Sequence, residues 1–252
     1  MGAEKFLDIK CRSAGLKPRA VVIVATIRAL KMHGGVAKAD LSKPECAALE
    51  KGFENLKTHI ENIAKFGLPA VVAVNKFITD TDEEIALLQK LCGELGTKAV
   101  LSEGWGKGGE GAADLAREVA AIADSGKAAY HPLYELDLPL ADKIRKIATE
   151  IYRADSVEFD STALKKLKGF EEAGYGKLPV CIAKTQNSIS HDPKLIGAPR
   201  GFAFPVRDVQ LYAGAGFVVA LAGDIMTMPG LPKAPAALDI DVDDNGLISG
   251  LF

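Results

Sequence analysis

The sequence predicts an α/β fold, a mainly parallel sheet with flanking helices followed by a smaller mixed α+β region. Three observations predict it. Through the first half of the 252 residues, short apolar strand candidates alternate with amphipathic helix candidates, the pattern of strands joined by crossover helices. Ala20–Thr26 is almost continuously apolar and largely β-branched, as suits a strand covered on both faces. Further on, the pattern turns to helices and then to several short strands. It divides the chain into an α/β region over residues 1–150 and an α+β region over residues 151–252.

Val21–Thr26 is the first strand and runs into a basic, glycine-ended loop, Ile27-Arg-Ala-Leu-Lys-Met-His-Gly-Gly35. Ser42-Lys-Pro-Glu45 then offers an N-cap with an early proline. Ala47, Leu49, Phe53, Leu56, Ile60 and Ile63 carry a helical apolar face toward Phe66-Gly67. Ala70–Val74 is the second strand. Thr79–Glu84 is acidic and rich in capping residues, so a helix over Ile85–Leu95 follows, stopped by Gly96. The third strand, Lys98–Leu101, leads through Gly104-Trp-Gly-Lys-Gly-Gly-Glu-Gly111 into a helix over Ala112–Ala123.

Leu138–Tyr152 reads as a long helix with Ile144, Ile147 and Ile151 on one face. Another helix spans Ser161–Ala173, opened by Asp160 or Ser161 and closed by Gly174. Strand candidates follow at Leu178–Ala183, Phe202–Val206, Val209–Tyr212 and Phe217–Leu221. Asp244-Asn-Gly246 reads as a hairpin turn between Leu238–Val242 and Leu247–Phe252.

Composition excludes several functional classes. A formal net charge of -2, without a basic stripe interleaved with aromatics, argues against nucleic acid. No apolar run is long enough to span a bilayer and the N-terminus is not signal-like, so a cytoplasmic location without membrane contact is expected. Cys11, Cys46, Cys92 and Cys181 are widely spaced, as expected of reduced, packed thiols. His59, His131 and His191 lack the spacing of a metal site, and no metal is expected.

Open α/β sheets bind ligands beyond the carboxyl ends of their strands. Arg28, Lys31 and His33 fall beyond the first strand. Arg and Lys there suit phosphate or carboxylate, with solvated surface charge as the alternative; His33 is either a general base or a turn residue. The Asn75–Asp80 and Ser102–Gly109 loops follow the second and third strands at the same edge. They place Phe77 and the single tryptophan, Trp105, where two aromatic faces can sandwich a flat heterocycle; packing anchors are the alternative.

Other motifs read as structural. Gly108-Gly-Glu-Gly111 lacks the G-x-x-x-x-G-K-[ST] order of a phosphate loop, as does the rest of the chain, and suits a tight turn around Trp105. Asp241–Gly246 opens like a calcium loop but has no closing glutamate. Gly214-Ala-Gly216 suits close packing, and Met226 and Met228 suit core or interface filling. Lys184–Asp192 is a polar segment at a strand end.

Val21–Gly35, the Asn75-Lys-Phe-Ile-Thr-Asp-Thr81 loop, the Ser102-Glu-Gly-Trp-Gly-Lys-Gly-Gly109 loop, Lys184-Thr-Gln186 and the glycine- and methionine-rich run from Ala213 to Pro232 resemble formate–tetrahydrofolate ligases, over essentially the whole chain. The resemblance implies that ATP, with Mg²⁺, phosphorylates formate, and that tetrahydrofolate takes the formyl group to give 10-formyltetrahydrofolate, ADP and phosphate. It implies that Phe77 and Trp105 stack on the pterin, that Leu101 is an apolar contact with it, and that Asn75 and Ile78 belong to the same loop wall. Ile78 stands where the family has proline, which removes a fixed backbone angle. Family members are roughly twice this length. The resemblance therefore implies a C-terminal half, the remnant of a P-loop NTPase-like fold whose phosphate loop lies in an N-terminal half. That chain would be inactive alone, and its expected partners are a polypeptide supplying the other half and further copies in a homo-oligomer. A non-catalytic folate-binding or assembly module is the alternative.

Overall fold

The computed structural model describes residues 1–223, 225 and 233–250; Met226 and Met228 lie outside the described residues. The chain begins with α1 (Gly2–Lys5), a wider helical turn over Phe6–Cys11, and α2 (Arg12–Ala14). A three-stranded parallel sheet follows, built from β1 (Val21–Ala25), β2 (Ala70–Asn75) and β3 (Ala99–Ser102) in that spatial order. Val21 lies opposite Ala70, and Val72 lies opposite Ala99.

Between β1 and β2 run α3 (Ile27–His33) and α4 (Cys46–Ala64), and α5 (Asp82–Glu94) joins β2 to β3. The basic segment after β1 is thus a helix, where the sequence suggested a loop. The reason is local: Thr26 is extended and its Oγ1 accepts a hydrogen bond of 3.1 Å from the Ala29 amide, capping the helix. Helices α3 and α4 cross closely because glycine stands at the contact, Gly34 capping the end of α3 and Gly52 within α4. A Cβ on Gly34 would fall 1.9 Å from the Ala48 carbonyl oxygen, and one on Gly52 would fall 1.8 Å from that of Leu30.

A second correction concerns β1. It is not covered on both faces: Ile23 and Ala25 pack inward, whereas Val22 and Val24 are 40% and 66% exposed. On β2, Val71, Val72, Ala73 and Val74 are all buried. After β3 come the short α6 (Gly104–Lys107) and then α7 (Ala113–Asp124), which packs against β2 and β3.

The remaining chain forms a four-stranded mixed sheet. Its flanking helices are α8 (Leu140–Glu150) and α9 (Ser161–Phe170); its strands are β4 (Ser156–Phe159), β5 (Val180–Ala183), β6 (Ala203–Tyr212) and β7 (Phe217–Ala222). The spatial order is β4-β6-β7-β5, with β6 and β7 antiparallel and the outer pairings parallel. Two strand candidates are in fact the single strand β6, irregular between Val206 and Asp208, and β4 was not foreseen. The helix expected over Ser161–Ala173 runs as α9 to Phe170 and on as a wider helical turn, which Gly174 breaks with φ of 89° as expected. Short strands β8 (Asp241–Val242) and β9 (Ile248–Ser249) pair around the expected turn, where the Asp243 carboxylate accepts from the Asn245 and Leu247 amides.

Among the described residues, two apolar clusters hold the fold together. One, around the mixed sheet, joins Leu7 and Cys11, Phe66 and Leu68, Ile144, Ile147 and Tyr152, and Ile182, Phe204 and Val218. The other, beneath the parallel sheet, joins Ile27, Leu30, Leu49, Phe53, Val72, Val74 and Leu88. The α/β class holds, with one parallel and one mixed sheet. This architecture does not by itself mark a P-loop remnant or a separate C-terminal domain.

Candidate functional site

Because β1, β2 and β3 are parallel, the segments leaving their carboxyl ends gather at one edge. β2 ends at Asn75, paired with Ser102, and the Lys76 amide donates to the Ser102 carbonyl at 3.3 Å. The next four residues close on themselves. Asp80 Oδ2 accepts from the Phe77 amide at 2.8 Å, and the Asp80 amide donates to the Phe77 carbonyl at 3.1 Å. This leaves Phe77 and Ile78 projecting, 37% and 86% exposed. Asp80 itself is buried, which pushes its carboxyl up; the Phe77 hydrogen bond and the charges of Lys31 and Arg28 pull the other way.

The loop after β3 is also folded back. The Glu103 amide donates to the Gly111 carbonyl at 3.0 Å, and a Cβ at Gly111 would lie 2.6 Å from the Glu103 carbonyl oxygen. Glycine is required there by close approach, in keeping with the tight turn expected around Trp105. Trp105 is held outward, 64% exposed, while its Nε1–H donates to the Lys76 carbonyl at 2.8 Å and ties the two loops together.

Between the loops lies an open cleft of about 310 Å³ lined by Lys76, Phe77, Ile78, Glu103, Trp105 and Lys107. Lys107 and Glu103 pair at its rim at 2.7 Å. The Arg28 guanidinium sits 5.3 Å from the Phe77 ring centroid. Large apolar surface left exposed beside fixed charges is what a site for a flat, partly polar ring needs.

The other residues singled out by sequence diverge from this cleft. Asn75 and Leu101 are half-buried at strand ends, and Leu101 packs toward the core under the parallel sheet. Lys31 is fully buried: its Nζ donates to Glu84 Oε1 at 2.8 Å and to the Lys43 carbonyl at 2.8 Å. Glu84 also accepts from the Glu45 amide at 3.0 Å and from the Thr81 amide at 3.1 Å. Burial pushes the Glu84 carboxyl up, but these hydrogen bonds outweigh it and hold it below the usual range. Lys31 therefore locks α3, α4 and α5 together.

His33 faces elsewhere. Its Nδ1 accepts from the Gly197 amide at 3.1 Å, and burial lowers its basicity. With Asn55, His59, Lys184 and Ser188 it lines a separate polar cavity of about 380 Å³. Burial pushes the Lys184 ammonium down to about 8 and, with the charge of His33 adding to it, His59 down to about 4. Of the three basic candidates, only Arg28 is seen against a ring of the aromatic cleft, that of Phe77.

Asp80 and Glu84 were missed as organising residues. A signal existed for Glu84, since Thr81-x-x-Glu84 has the spacing of a capping box and forms one.

The profile of the formate–tetrahydrofolate ligase family matches residues 1–252. This chain belongs to that family. Formate–tetrahydrofolate ligases of Allorhizobium ampelinum and Granulibacter bethesdensis are 58% and 57% identical to it over 252 residues, which is all of this chain but 45% and 44% of theirs. That of Rhizobium etli is 56% identical over the same 252 residues, 45% of its own length. The chain spans less than half the length of the curated relatives it matches. The expected placement in the C-terminal half of the ligase is not supported by these matches.

Proposed function

We propose that this chain carries the tetrahydrofolate-side wall of a formate–tetrahydrofolate ligase, with the pterin held between Phe77 and Trp105. The observation that carries the reading is the cleft itself: two exposed aromatic residues on adjoining loops, joined by the Trp105–Lys76 hydrogen bond and fixed by the Asp80 turn. Ile78 extends the apolar wall, and the Arg28 guanidinium lies over the Phe77 ring. Stacking on two such faces contributes about 0.5–1.5 kcal/mol per pair beyond burial.

The ATP side fits this chain poorly. Among the described residues, Gly108–Gly111 is spent on the turn around Trp105, and Lys31 is buried and held by Glu84 and the Lys43 carbonyl. ATP and Mg²⁺ are therefore assigned to polypeptide beyond this chain, and formyl transfer to the assembled enzyme. Placing this portion at the C-terminal end of such a ligase rests on the resemblance and on the missing phosphate-loop motif alone.

Trp105 is the only tryptophan, so its fluorescence tests the reading directly. Tetrahydrofolate is expected to quench it saturably, with affinity about tenfold weaker in Phe77→Ala, or about 1.4 kcal/mol. Unchanged emission across the titration would sink the clamp. The purified chain alone is expected to make no 10-formyltetrahydrofolate from ATP, formate and tetrahydrofolate; measurable synthesis would refute the division of labour.

A further inference from the structure

The arginine just past α8 holds a backbone conformation ordinarily left to glycine. The Ala154 amide donates to the Ala148 carbonyl at 3.1 Å, a helix closure that requires a left-handed residue immediately before Ala154. Arg153 fills that position with φ of 63°, and among the described residues every other positive φ belongs to glycine. Backbone strain of this kind gathers at ligand sites and switch regions.

The side chain at this strained position is held but not satisfied. It is 10% exposed, and its Nη2 pairs with Glu61 on α4, while Nη1 is buried without a hydrogen-bond partner among the described residues. A buried donor left unpaired is costly. Beside it opens a cavity of about 360 Å³ lined by Glu61, Lys65, Thr149, Arg153, Ala154 and Arg200. Lys65 is committed to the Glu150 carboxylate and carbonyl. Arg200 is exposed and has no ion pair among the described residues. Two guanidinium groups thus face one cavity with a single carboxylate, Glu61, between them to share.

The lining also says what could enter. Ala154 is its one apolar residue, so nothing there grips a ring or an alkyl body. Arginine forks match the paired oxygens of an oxyanion, and a tetrahedral one offers oxygens to two forks at once. The last turn of α4 carries Glu61 and Lys65 toward the amino end of β2, so this cavity lies at the edge of the parallel sheet opposite the Phe77–Trp105 cleft.

We propose that Arg153 and Arg200 bind a phosphate group in this cavity, either the free ion or the phosphate end of a larger molecule whose remainder lies in solvent. Glu61 positions the Arg153 fork and competes with the anion for it.

The test titrates inorganic phosphate into the full 252-residue chain, followed by phosphorus NMR and by the thermal unfolding midpoint, against sodium chloride at matched ionic strength. Phosphate stabilises folded chains in general by exclusion from their surface, so the variants decide. Saturable binding is expected. Arg153→Gly, at a position whose φ suits glycine, and Arg200→Ala are each expected to weaken it about tenfold or more with unchanged circular dichroism. Lys90→Ala, which removes an exposed cation on α5, is expected to leave it intact. Glu61→Gln is expected to tighten it about threefold or more, a gain that a merely structural Arg153–Glu61 pair does not produce.

No saturable binding, or binding that Arg153→Gly and Arg200→Ala leave unchanged, would overturn the proposal. So would weaker binding in Glu61→Gln. Glycerol phosphate, titrated in the same way, separates the two sources. Its competition with inorganic phosphate would uphold a site for the phosphate end of a larger molecule, and binding of the inorganic ion alone would uphold a site for the free ion.

Discussion

The two sheets of this chain treat apolar surface in opposite ways. In the mixed sheet, Val180, Ile182, Phe204, Val206, Val218 and Ala220 are all sealed, and Phe204 stacks on Tyr152 with ring centroids 5.7 Å apart. In the parallel sheet only the central run of β2, Val71–Val74, is fully enclosed; β1 shows Val22 and Val24, and the loops beyond show Phe77, Ile78 and Trp105. Buried lysines show a related contrast. Lys143, on α8, rests its ammonium on the Gly176 and Leu178 carbonyls, and burial pushes it down to about 8. Lys31, buried among α3, α4 and α5, has a carboxylate partner. The mixed sheet is finished as a core, whereas the parallel sheet is finished only where it supports the loops.

If that contrast is right, substitutions should separate into those that unfold and those that only unbind. Phe204→Ala, inside the finished core, is expected to lower the unfolding free energy by about 3–5 kcal/mol in urea denaturation. A loss under 1 kcal/mol would show that the mixed sheet is looser than its packing indicates. Lys31→Met leaves Glu84 buried and short of its cationic partner, and is expected to remove roughly 3 kcal/mol or more. Arg28→Ala, three residues earlier on the same helix, should remain within about 1 kcal/mol of the parent. Equal losses would erase the distinction between a locking cation and a cleft cation.

A pH series sharpens the comparison at Asp8, which is buried beneath the mixed-sheet cluster with its Oδ1 accepting from the Leu133 amide at 2.8 Å. Burial raises its carboxyl from 3.8 to about 6, with that hydrogen bond and Arg12 opposing. The folded state then holds the proton more tightly than the unfolded one. Its contribution is complete below pH 3.8 and is lost as pH rises through about 6. Comparison of the parent with Asp8→Asn should isolate a difference of about 2–3 kcal/mol across that window; parallel pH profiles would reject a buried, raised Asp8. The smallest effect on stability is expected at Phe77→Ala, within about 0.5 kcal/mol, with the loss appearing in ligand affinity. A large drop in melting temperature would instead make Phe77 a packing anchor.

Much of the fold was legible in the sequence, because three apolar strands each followed by a helix face leave little freedom. Phe77 and Trp105 could be placed at one edge for the same reason. What could not be read is informative. A β-branched run such as Val21–Ala25 looks the same whether buried on both faces or left at an edge, since periodicity reports side-chain type and not the neighbour's presence. Thr26 did signal a helix cap, and the glycines at its far end masked it. Lys31 and Arg28 are indistinguishable locally, because the carboxylate that claims Lys31 is 53 residues away. Ser156–Phe159 alternates in burial but is only four residues long, too short to stand out from a linker.

The Trp105 hydrogen bond to Lys76 has one last implication. With its N–H already spent on a main-chain carbonyl, the indole offers a guest nothing but its two faces. The nearest rim charges, Lys107 and Glu103, satisfy each other. A ring held there as proposed would gain flat apolar contact from the indole and no hydrogen bond. Recognition along the edge of such a ring would fall to Lys76 and Arg28, to free main-chain groups, and to whatever surface closes the open side.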